Sequence, residues 1–369
     1  MMILTINTGS SSVRLDVFSY EKSHKERIAS AYFKNEEDEP RVLLETFILN
    51  NDIKDISLTA YRVVHGGTKF ITSCLITPEV VDEIDRLAPL APLHNPQALT
   101  WFRVCSEIFG DKIPQAAIFD TAFYAHLPDI ARTYALPKEL CEVYEIRRYG
   151  FHGIAHGSMA ARWQELRSDT KRNGRFISLQ LGAGCSITAV RDGQPVDTSM
   201  GFSPLEGLMM ATRSGDIDPG LVSYLIGTAG FAPVELEKLL NNSSGLLGVS
   251  GLSGDMKELL SSDAPDARFA VELYCYRAKK YIGAYTAALG GIDALLFGGG
   301  VGEYAPVIRR KILDGMQWCG IEINDETNNI TIGEEGLIST TNSGIDVWII
   351  PVDEAGVLAE EAFKVVNRL

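Results

Sequence analysis

Two stretches of the chain share one pattern of apolar and polar positions, in which a strand leads through a small-residue turn to a returning strand. The first stretch covers residues 3–18 with a glycine/serine turn at 8–12, and the second covers 176–191 with a turn at 182–186. The flanking segments alternate between apolar and polar residues, which predicts paired β-strands. Two copies of the same hairpin, each opening one half of the chain, indicate an internally duplicated fold.

Helical periodicity is expected between and after the hairpins. The segments with apolar residues at helical spacing are 78–86, 95–108, 267–289 and 354–366. A short apolar strand at 293–297 runs into the glycine-rich turn 298–302. A strand that leads through such a turn into a helix can bind phosphate at the helix N-terminus or pack against a nucleoside.

Length and duplication together predict two α/β domains. The chain has 369 residues, and about 150 residues is the usual size of one domain. The second hairpin places the boundary near residue 150. We therefore expect an N-terminal domain at 1–149, rejoined by the C-terminal helix at 354–369, and a C-terminal domain at 150–353.

Composition narrows the class of function. The net charge of −14 argues against nucleic acid and anionic membranes as partners, because phosphate backbones require clustered positive charge. No apolar stretch approaches the roughly 20 residues of a membrane span, and the apolar N-terminal run is too short for a signal peptide. The six cysteines form no CxxC pair, so free thiols and a cytoplasmic location are expected.

Several polar residues lie at positions typical of a phosphoryl-transfer site. Arg62 precedes a Gly-Gly turn, Asp120 ends an apolar strand, His152 lies between glycines, and His94 and Arg213 occupy turns. Phosphoryl transfer needs positive donors for the phosphoryl oxygens, an oxygen-rich magnesium site and glycines that let the backbone approach phosphate. Each residue alone is more often structural, but the set together favours a magnesium-dependent phosphotransferase.

The motifs match one known family almost from end to end. The matching segments are 7–12, 61–67, 197–207 continuing to 218–219, and 297–303. On these segments the chain resembles the acetate kinases, within the superfamily of acetate and sugar kinases, Hsp70 and actin. The resemblance implies duplicated actin-like, ribonuclease H-like domains around a central cleft that closes on its substrates. It also implies a homodimer formed through the second domain, which would bind the nucleotide.

The resemblance also implies a role for each matching residue. Catalysis would involve Asp120, Arg62, His152, Arg213 and His94. The acyl group would contact Arg62, Val64, Leu93, Phe151 and Pro204, and Asn7 and Glu354 would act near the metal. The nucleotide and its phosphates would contact Ser10, Ser12, Arg14, Gln180, Gly182, Gly184, Asp255, Met256, Lys257, Gly299, Gly300, Val301 and Gly302.

The implied reaction is reversible, direct in-line transfer of the ATP γ-phosphate to acetate, giving acetyl phosphate and ADP, with Mg²⁺ as the metal and Mn²⁺ as an alternative. A carboxylate acceptor is already ionised at neutral pH and needs no general base. The chain departs from the family pattern at Gln180, Ala183, Lys257 and Tyr304, which leaves the phosphoryl donor open. Propionate or butyrate remains an alternative acceptor, and a non-catalytic nucleotide-binding paralogue remains an alternative of another class.

Overall fold

The computed structural model describes residues 1–9, 12–21, 24–34, 39–92, 94–110, 112–166 and 174–368. The chain divides into two compact units. The first unit comprises Met1–Ala125, Phe151–Ile154 and Asp353–Leu369, and the second comprises His126–Gly150 and Ala155–Val352. The sequence predicts an N-terminal domain at 1–149 with 354–369 and a C-terminal, nucleotide-binding domain at 150–353. These domain bounds and the nucleotide-binding role stay a prediction.

Each unit contains one mixed six-stranded sheet among the described residues. The strands of the first sheet are β1 (Met2–Thr8), β2 (Ser12–Glu21), β3 (His24–Lys34), β4 (Ile56–Val63), β5 (Cys74–Leu75) and β6 (Gln115–Phe119). The strands of the second sheet are β7 (Arg175–Leu181), β8 (Cys185–Arg191), β9 (Gln194–Thr198), β10 (Ala294–Gly298), β11 (Gly336–Leu337) and β12 (Asp346–Ile349).

The two sheets have the same topology. The first has the order β3-β2-β1-β4-β6-β5, and the second, read from its other edge, has the order β9-β8-β7-β10-β12-β11. In both, an antiparallel three-stranded meander is followed by two parallel strands and a short antiparallel edge strand. This repetition confirms the predicted duplication and the duplicated actin-like α/β fold.

Helices cover the sheets. They are α1 (Pro40–Asn50), α2 (Pro78–Arg86), α3 (Asn95–Phe109), α4 (Asp129–Arg132), α5 (Lys138–Val143), α6 (Gly153–Leu166), α7 (Pro219–Gly227), α8 (Pro233–Asn242), α9 (Gly245–Ser250), α10 (Met256–Ser261), α11 (Pro265–Leu289), α12 (Gly299–Tyr304), α13 (Pro306–Leu313), α14 (Asp325–Ile330) and α15 (Glu354–Asn367). Short 3-10 turns lie at Ala88–Leu90, Asp120–Tyr124 and Gln317–Cys319.

Both faces of the central strands of the first sheet, β1 and β4, are buried. One face packs against α1 and α3 through residues such as Phe47, Phe102 and Leu15. The other face packs against α15, whose Leu358 and Ala359 are fully buried. Alternate strand residues point to opposite faces, so a strand that is covered on both sides must be mostly apolar along its length. The run 2–6 in β1 has this character, since only Thr5 within it is polar. The C-terminal helix α15 is thereby fixed beside the end of β1.

Candidate active site

Arg62 and Asp120 form a buried ion pair at the carboxyl ends of two neighbouring strands. β4 and β6 run parallel in register, so the residues at their ends lie side by side. Nε and Nη2 of Arg62 both donate to Oδ2 of Asp120, at 3.0 and 2.7 Å. Asp120 is fully buried and Arg62 nearly so. Burial alone would lower the pKa of Arg62, but the carboxylates of Asp120 and Glu354 raise that pKa by more than burial lowers it. The guanidinium therefore stays charged.

The second carboxylate oxygen of Asp120 is left over. Among the described residues, Oδ1 of Asp120 is buried and has no hydrogen-bond partner. Buried polar oxygens without partners are rare in native proteins and usually have a missing ligand or water. Oδ1 of Asp120 therefore remains able to accept one more polar or cationic partner.

Asn7 and Glu354 meet next to this pair. Asn7 lies near the end of β1 and donates from Nδ2 to Oε2 of Glu354 at 2.6 Å. Nη1 of Arg62 lies 3.5 Å from Oδ1 of Asn7 and 3.4 Å from the carbonyl oxygen of Thr8. Glu354 is the first residue of α15, whose N-terminus is capped by Asp353, and Arg27 forms an ion pair with that capping carboxylate.

This oxygen-rich set fits a divalent metal ion that keeps most of its water ligands. Asp120, Asn7 and Glu354 offer carboxylate and amide oxygens, which are the ligands that magnesium prefers. No group of three or more His, Cys, Asp or Glu suited to a metal occurs among the residues searched, which are the described ones. Magnesium is commonly held by one or two carboxylates plus water and substrate phosphate, so the small number of protein ligands suits it.

His152 has an unusual backbone conformation. Its φ is +57°, a left-handed value that is uncommon for residues other than glycine and often marks a functional site. The hydroxyl of Tyr124 donates to the carbonyl oxygen of Phe151 at 3.0 Å and fixes the preceding residue. Gly153 begins α6, and a Cβ added there would overlap the carbonyl oxygen of Asp120. Glycine at 153 therefore allows the His152 segment to lie against the Asp120 segment.

The remaining acyl-side residues that are described in the first unit are buried. Val64 follows β4 and is 3% exposed, and the ring of Phe151 packs edge-on against that of His65 with centroids 5.5 Å apart. His94 is buried immediately before α3. Leu93 lies outside the described residues. The structure therefore places Val64, His94 and Phe151 in the first unit, together with Arg62 and Asp120.

Arg213 and Pro204 lie together in the second unit. Nη1 of Arg213 donates to the carbonyl oxygen of Pro204 at 3.4 Å. Their loop is held at two acidic residues that the sequence did not single out. Glu206 accepts from Arg148 at 2.6 Å and from Tyr134, and Asp216 accepts from Tyr281 at 2.6 Å. Both acids fall inside the family-like segment 197–219, but their partners Arg148, Tyr134 and Tyr281 lie far away in the chain. Spacing along the sequence therefore gave no signal for these contacts.

A cavity of about 480 Å³ in the second unit gathers the expected nucleotide residues. Those that line it are Gly182, Asp255, Met256, Lys257, Gly300 and Val301. The rest of the described lining is Ala183, Leu246, Gly254, Leu260, Ser261, Tyr304, Ala305, Pro306 and Val307. Four expected residues are not among these lining residues: Gln180, Gly184, Gly299 and Gly302. Gln180 and Gly299 are neighbours, since a Cβ added at Gly299 would lie 2.9 Å from Nε2 of Gln180. The carboxylate of Asp255 accepts the backbone N–H groups of Lys257 and Glu258, so it also caps α10.

Comparison with known proteins gives a consistent result. The sequence model of the acetokinase family matches residues 41–360. The chain belongs to the acetokinase family. An acetate kinase of Chloroherpeton thalassium is 47% identical over 86% of this chain and 77% of its own length. Two solved structures cover 99% of both chains: an acetate kinase of Porphyromonas gingivalis, with 35% identity and a TM-score of 0.88, and a propionate kinase of Francisella tularensis, with 34% identity and a TM-score of 0.89.

The first hairpin tip of this acetokinase-family chain is only partly described. Ser10 lies outside the described residues. The N–H of Gly9 donates to the carbonyl oxygen of Ser12 at 2.7 Å, which closes the turn. Arg14 lies 3.1 Å from the buried carboxylate of Asp16 and donates to Ser30. In the structure, Arg14 therefore forms an ion pair within the first sheet. Its expected contact with the phosphates stays a prediction.

Two further expectations concern the whole chain. No helix in the described part is long and apolar enough to cross a membrane. All six cysteines, each within the described residues, are free thiols. The predicted free thiols are therefore confirmed.

Proposed function

We propose that this chain transfers the γ-phosphoryl group of ATP to the carboxylate of acetate, reversibly, to give acetyl phosphate and ADP. Membership of the acetokinase family makes it a kinase that phosphorylates a carboxylate. The observation that carries the residue assignment is the Arg62–Asp120 pair beside Asn7 and Glu354, in which one Asp120 oxygen has no hydrogen-bond partner among the described residues. The alternative of a non-catalytic paralogue loses support for two reasons. The relatives of this chain are named as enzymes, and the chain contains the buried ion pair between Arg62 and Asp120.

The chemistry needs charge neutralisation more than proton transfer. Acetate is ionised at neutral pH, as side-chain carboxyls are, so its oxygen attacks the phosphorus without a general base. The obstacle is the approach of one anion to another. Arg62 and Arg213 would hold the carboxylate and the transferring group, and His152 would donate to the equatorial oxygens. Asp120 would position Arg62 and the metal instead of accepting a proton.

The metal is a divalent cation, and we propose Mg²⁺ as the physiological one. Asp120, Asn7 and Glu354 would hold it, in part through water. When bound, it would neutralise the phosphate charge that develops during transfer. Within the described part of the chain, Oδ1 of Asp120 has no hydrogen-bond partner. This supports the assignment, since a buried carboxylate oxygen is a strong ligand for a hard cation. Mn²⁺ would substitute because it prefers similar oxygen ligands.

Acetate is the proposed acceptor because curated relatives that are 40–47% identical to this chain are named acetate kinases. Val64, Leu93, Phe151 and Pro204 would surround the methyl group of acetate, and Val64 and Phe151 are nearly fully buried. Propionate is the second candidate, since one of the solved structures similar to this chain is named a propionate kinase. One additional methylene changes binding in an apolar pocket by only about 1–3 kcal/mol, so the two acids are near competitors.

A panel of donors and acceptors tests the proposal. ATP, GTP and pyrophosphate are each combined with Mg²⁺ and acetate, propionate or butyrate, and acyl phosphate is trapped as the hydroxamate. We expect the highest kcat/KM with ATP and acetate, and a loss of product when chelator removes the metal. Absence of acyl phosphate with every pair at high enzyme concentration would sink the proposal. Turnover with pyrophosphate alone would move the assignment to another donor.

We also propose a homodimer in the cytoplasm. α7, all of whose residues are described, has no buried residue although it is apolar. Its Leu221 and Tyr224 are 45% and 57% exposed, and apolar patches of this kind mark protein interfaces. Light scattering after gel filtration would give twice the mass of one chain, about 81 kDa from the 40.4 kDa chain. Leu221→Lys would shift that mass toward one chain, whereas a monomeric wild type would refute the dimer.

A further inference from the structure

Tyr304 is a large aromatic residue that lines the nucleotide-side cavity. It is the last residue of α12 and contributes to the lining together with Gly300 and Val301. Its exposed fraction is 60%. Exposed aromatic rings beside an apolar cavity are available to contact a planar ligand.

The ring of Tyr304 is supported from behind by a glycine. A Cβ added to Gly333 would come within 2.5–2.8 Å of three atoms of the phenol ring. The N–H of Gly333 donates to the carbonyl oxygen of Glu303 at 3.2 Å, and Gly333 has a φ of +69°. Only glycine allows this close approach without displacing the ring. Gly333 therefore sets the position of the phenol while other parts of its surface remain exposed.

The backbone that carries Tyr304 is fixed by a buried arginine. Nη1 of Arg309 donates to the carbonyl oxygens of Gly302 and Glu303 at 2.8 and 3.0 Å. Nη2 donates to the carbonyl oxygens of Asn328 and Thr331. Arg309 is fully buried, and burial lowers its pKa to about 10. These hydrogen bonds to neutral oxygens hold the end of α12 in place. Ligand binding therefore does not have to pay the entropy cost of ordering the backbone that carries Tyr304.

We propose that Tyr304 stacks against the nucleobase of the phosphoryl donor and is the residue of this cavity that contributes most to base affinity. The proposal rests on the proposed function in one respect, that the donor is a nucleotide. The surrounding lining is mostly apolar, with Leu246, Met256 and Val307 offering no hydrogen bonds to base edges. Stacking does not depend on the pattern of donors and acceptors on a base, because each base has a π-face. The residue should therefore serve adenine and guanine nucleotides alike.

The test measures binding without turnover. Isothermal titration gives the Kd of ADP, GDP and tripolyphosphate for the wild type, Tyr304→Ala and Tyr304→Phe. Tripolyphosphate carries a phosphate chain and no base. We expect Tyr304→Ala to raise the Kd of ADP and of GDP by about tenfold, as loss of a base–aromatic stack does. Tyr304→Phe keeps the ring and should stay within about twofold of the wild type, and tripolyphosphate should bind all three proteins equally.

A matched control is available on α11. Tyr276 is 58% exposed and is not among the described residues that line the cavity, so Tyr276→Ala should leave every Kd unchanged. An unchanged Kd for ADP in Tyr304→Ala would overturn the proposal. An equal loss for ADP and tripolyphosphate would also overturn it, because the whole cavity would then have been disturbed.

The hydroxamate assay on the wild type separates this proposal from the proposed function. Wild-type turnover with an unaltered Kd in Tyr304→Ala refutes the stacking role alone. Absence of turnover, combined with the expected change in Kd, refutes the kinase assignment and leaves the stacking role standing.

Discussion

Nε and Nη2 of Arg62 both point at a single oxygen of Asp120, and the other oxygen of that carboxylate has no hydrogen-bond partner among the described residues. The contact is therefore one-sided. One carboxylate oxygen orients the guanidinium, and Nη1 remains directed at Asn7 and Thr8. A carboxylate arranged in this way can serve two partners at once, an arginine and a cation. The pair is the first feature to test.

Asp120→Asn should lower kcat by about 100- to 1000-fold, because an amide keeps the shape of the side chain and removes the charge that faces the metal and Arg62. The concentration of Mg²⁺ that gives half-maximal activity should rise in the same variant. Both quantities follow from hydroxamate assays across a magnesium titration. Asp85→Asn, at an exposed position of α2, is the control and should match the wild type. A kcat within threefold of the wild type in Asp120→Asn would remove Asp120 from the active site.

Gly153→Ala should lower kcat strongly, because the new Cβ would overlap the carbonyl oxygen of Asp120. The His152 and Asp120 segments must then separate, and a misplacement of about 1 Å costs on the order of 100-fold in rate. The matched control is Gly283→Ala within α11, where no atom lies within 4 Å of the added Cβ. That variant should keep its activity and gain up to about 1 kcal/mol of stability. Equal rates in the two variants would show that Gly153 has no part in positioning the site.

Val64→Ala should shift the acceptor preference toward longer acids. The ratio of kcat/KM for propionate to that for acetate is expected to rise about tenfold, since the shorter side chain leaves room for one methylene. Competition assays with the two acids measure this ratio directly. Val190→Ala, at an equally buried position in β8, should lose stability without changing the ratio. An unchanged ratio in Val64→Ala would exclude Val64 from the acyl pocket.

His65 should make the stability of the chain dependent on pH. Burial lowers its pKa from 6.5 to about 4, so the unfolded chain binds a proton at a pH where the folded chain does not. The contribution is therefore fully present above pH 6.5 and is lost as the pH falls toward 4. At pH 5 the loss is about 2 kcal/mol.

Urea unfolding of the wild type and of His65→Gln at pH 5 and 7.5 checks this expectation. The difference in unfolding free energy between the two pH values should be about 2 kcal/mol smaller in the variant. Identical pH dependence in both proteins would mean that another group is responsible. The neutral ring is required in the fold because Nδ1 of His65 accepts the N–H of Gly67 at 3.0 Å.

The elements with a clear period were predictable from the sequence. The helix expected at 78–86 is α2, and the one expected at 354–366 is α15 with one further residue. Both hairpins formed where alternation and small-residue turns placed them. In these segments, local preference and burial agree, so a single sequence contains enough information.

The parts that escaped prediction depend on distant partners. β3 is mostly exposed and polar, so it has no apolar alternation, and pairing with β2 decides its conformation. Asn7 and Glu354 were expected near the metal only by resemblance, because the residues of that contact are 347 positions apart. Arg309 gave no signal either, since the carbonyl groups that satisfy it belong to α12, to α14 and to the residue after α14, and no sequence spacing links them to Arg309. Spacing along the chain does not encode such contacts.

The packing of α15 on the first sheet also sets the order in which the two units can be completed during synthesis. The ribosome completes Ala155–Val352 before it reaches α15, which covers one face of the first sheet. The strands of the first sheet are synthesised first, but the helix that covers one of its faces is synthesised last. That apolar face is exposed in the interval. While translation proceeds, that exposed apolar face favours aggregation, and a slow stretch of codons before residue 354 would prolong the exposure.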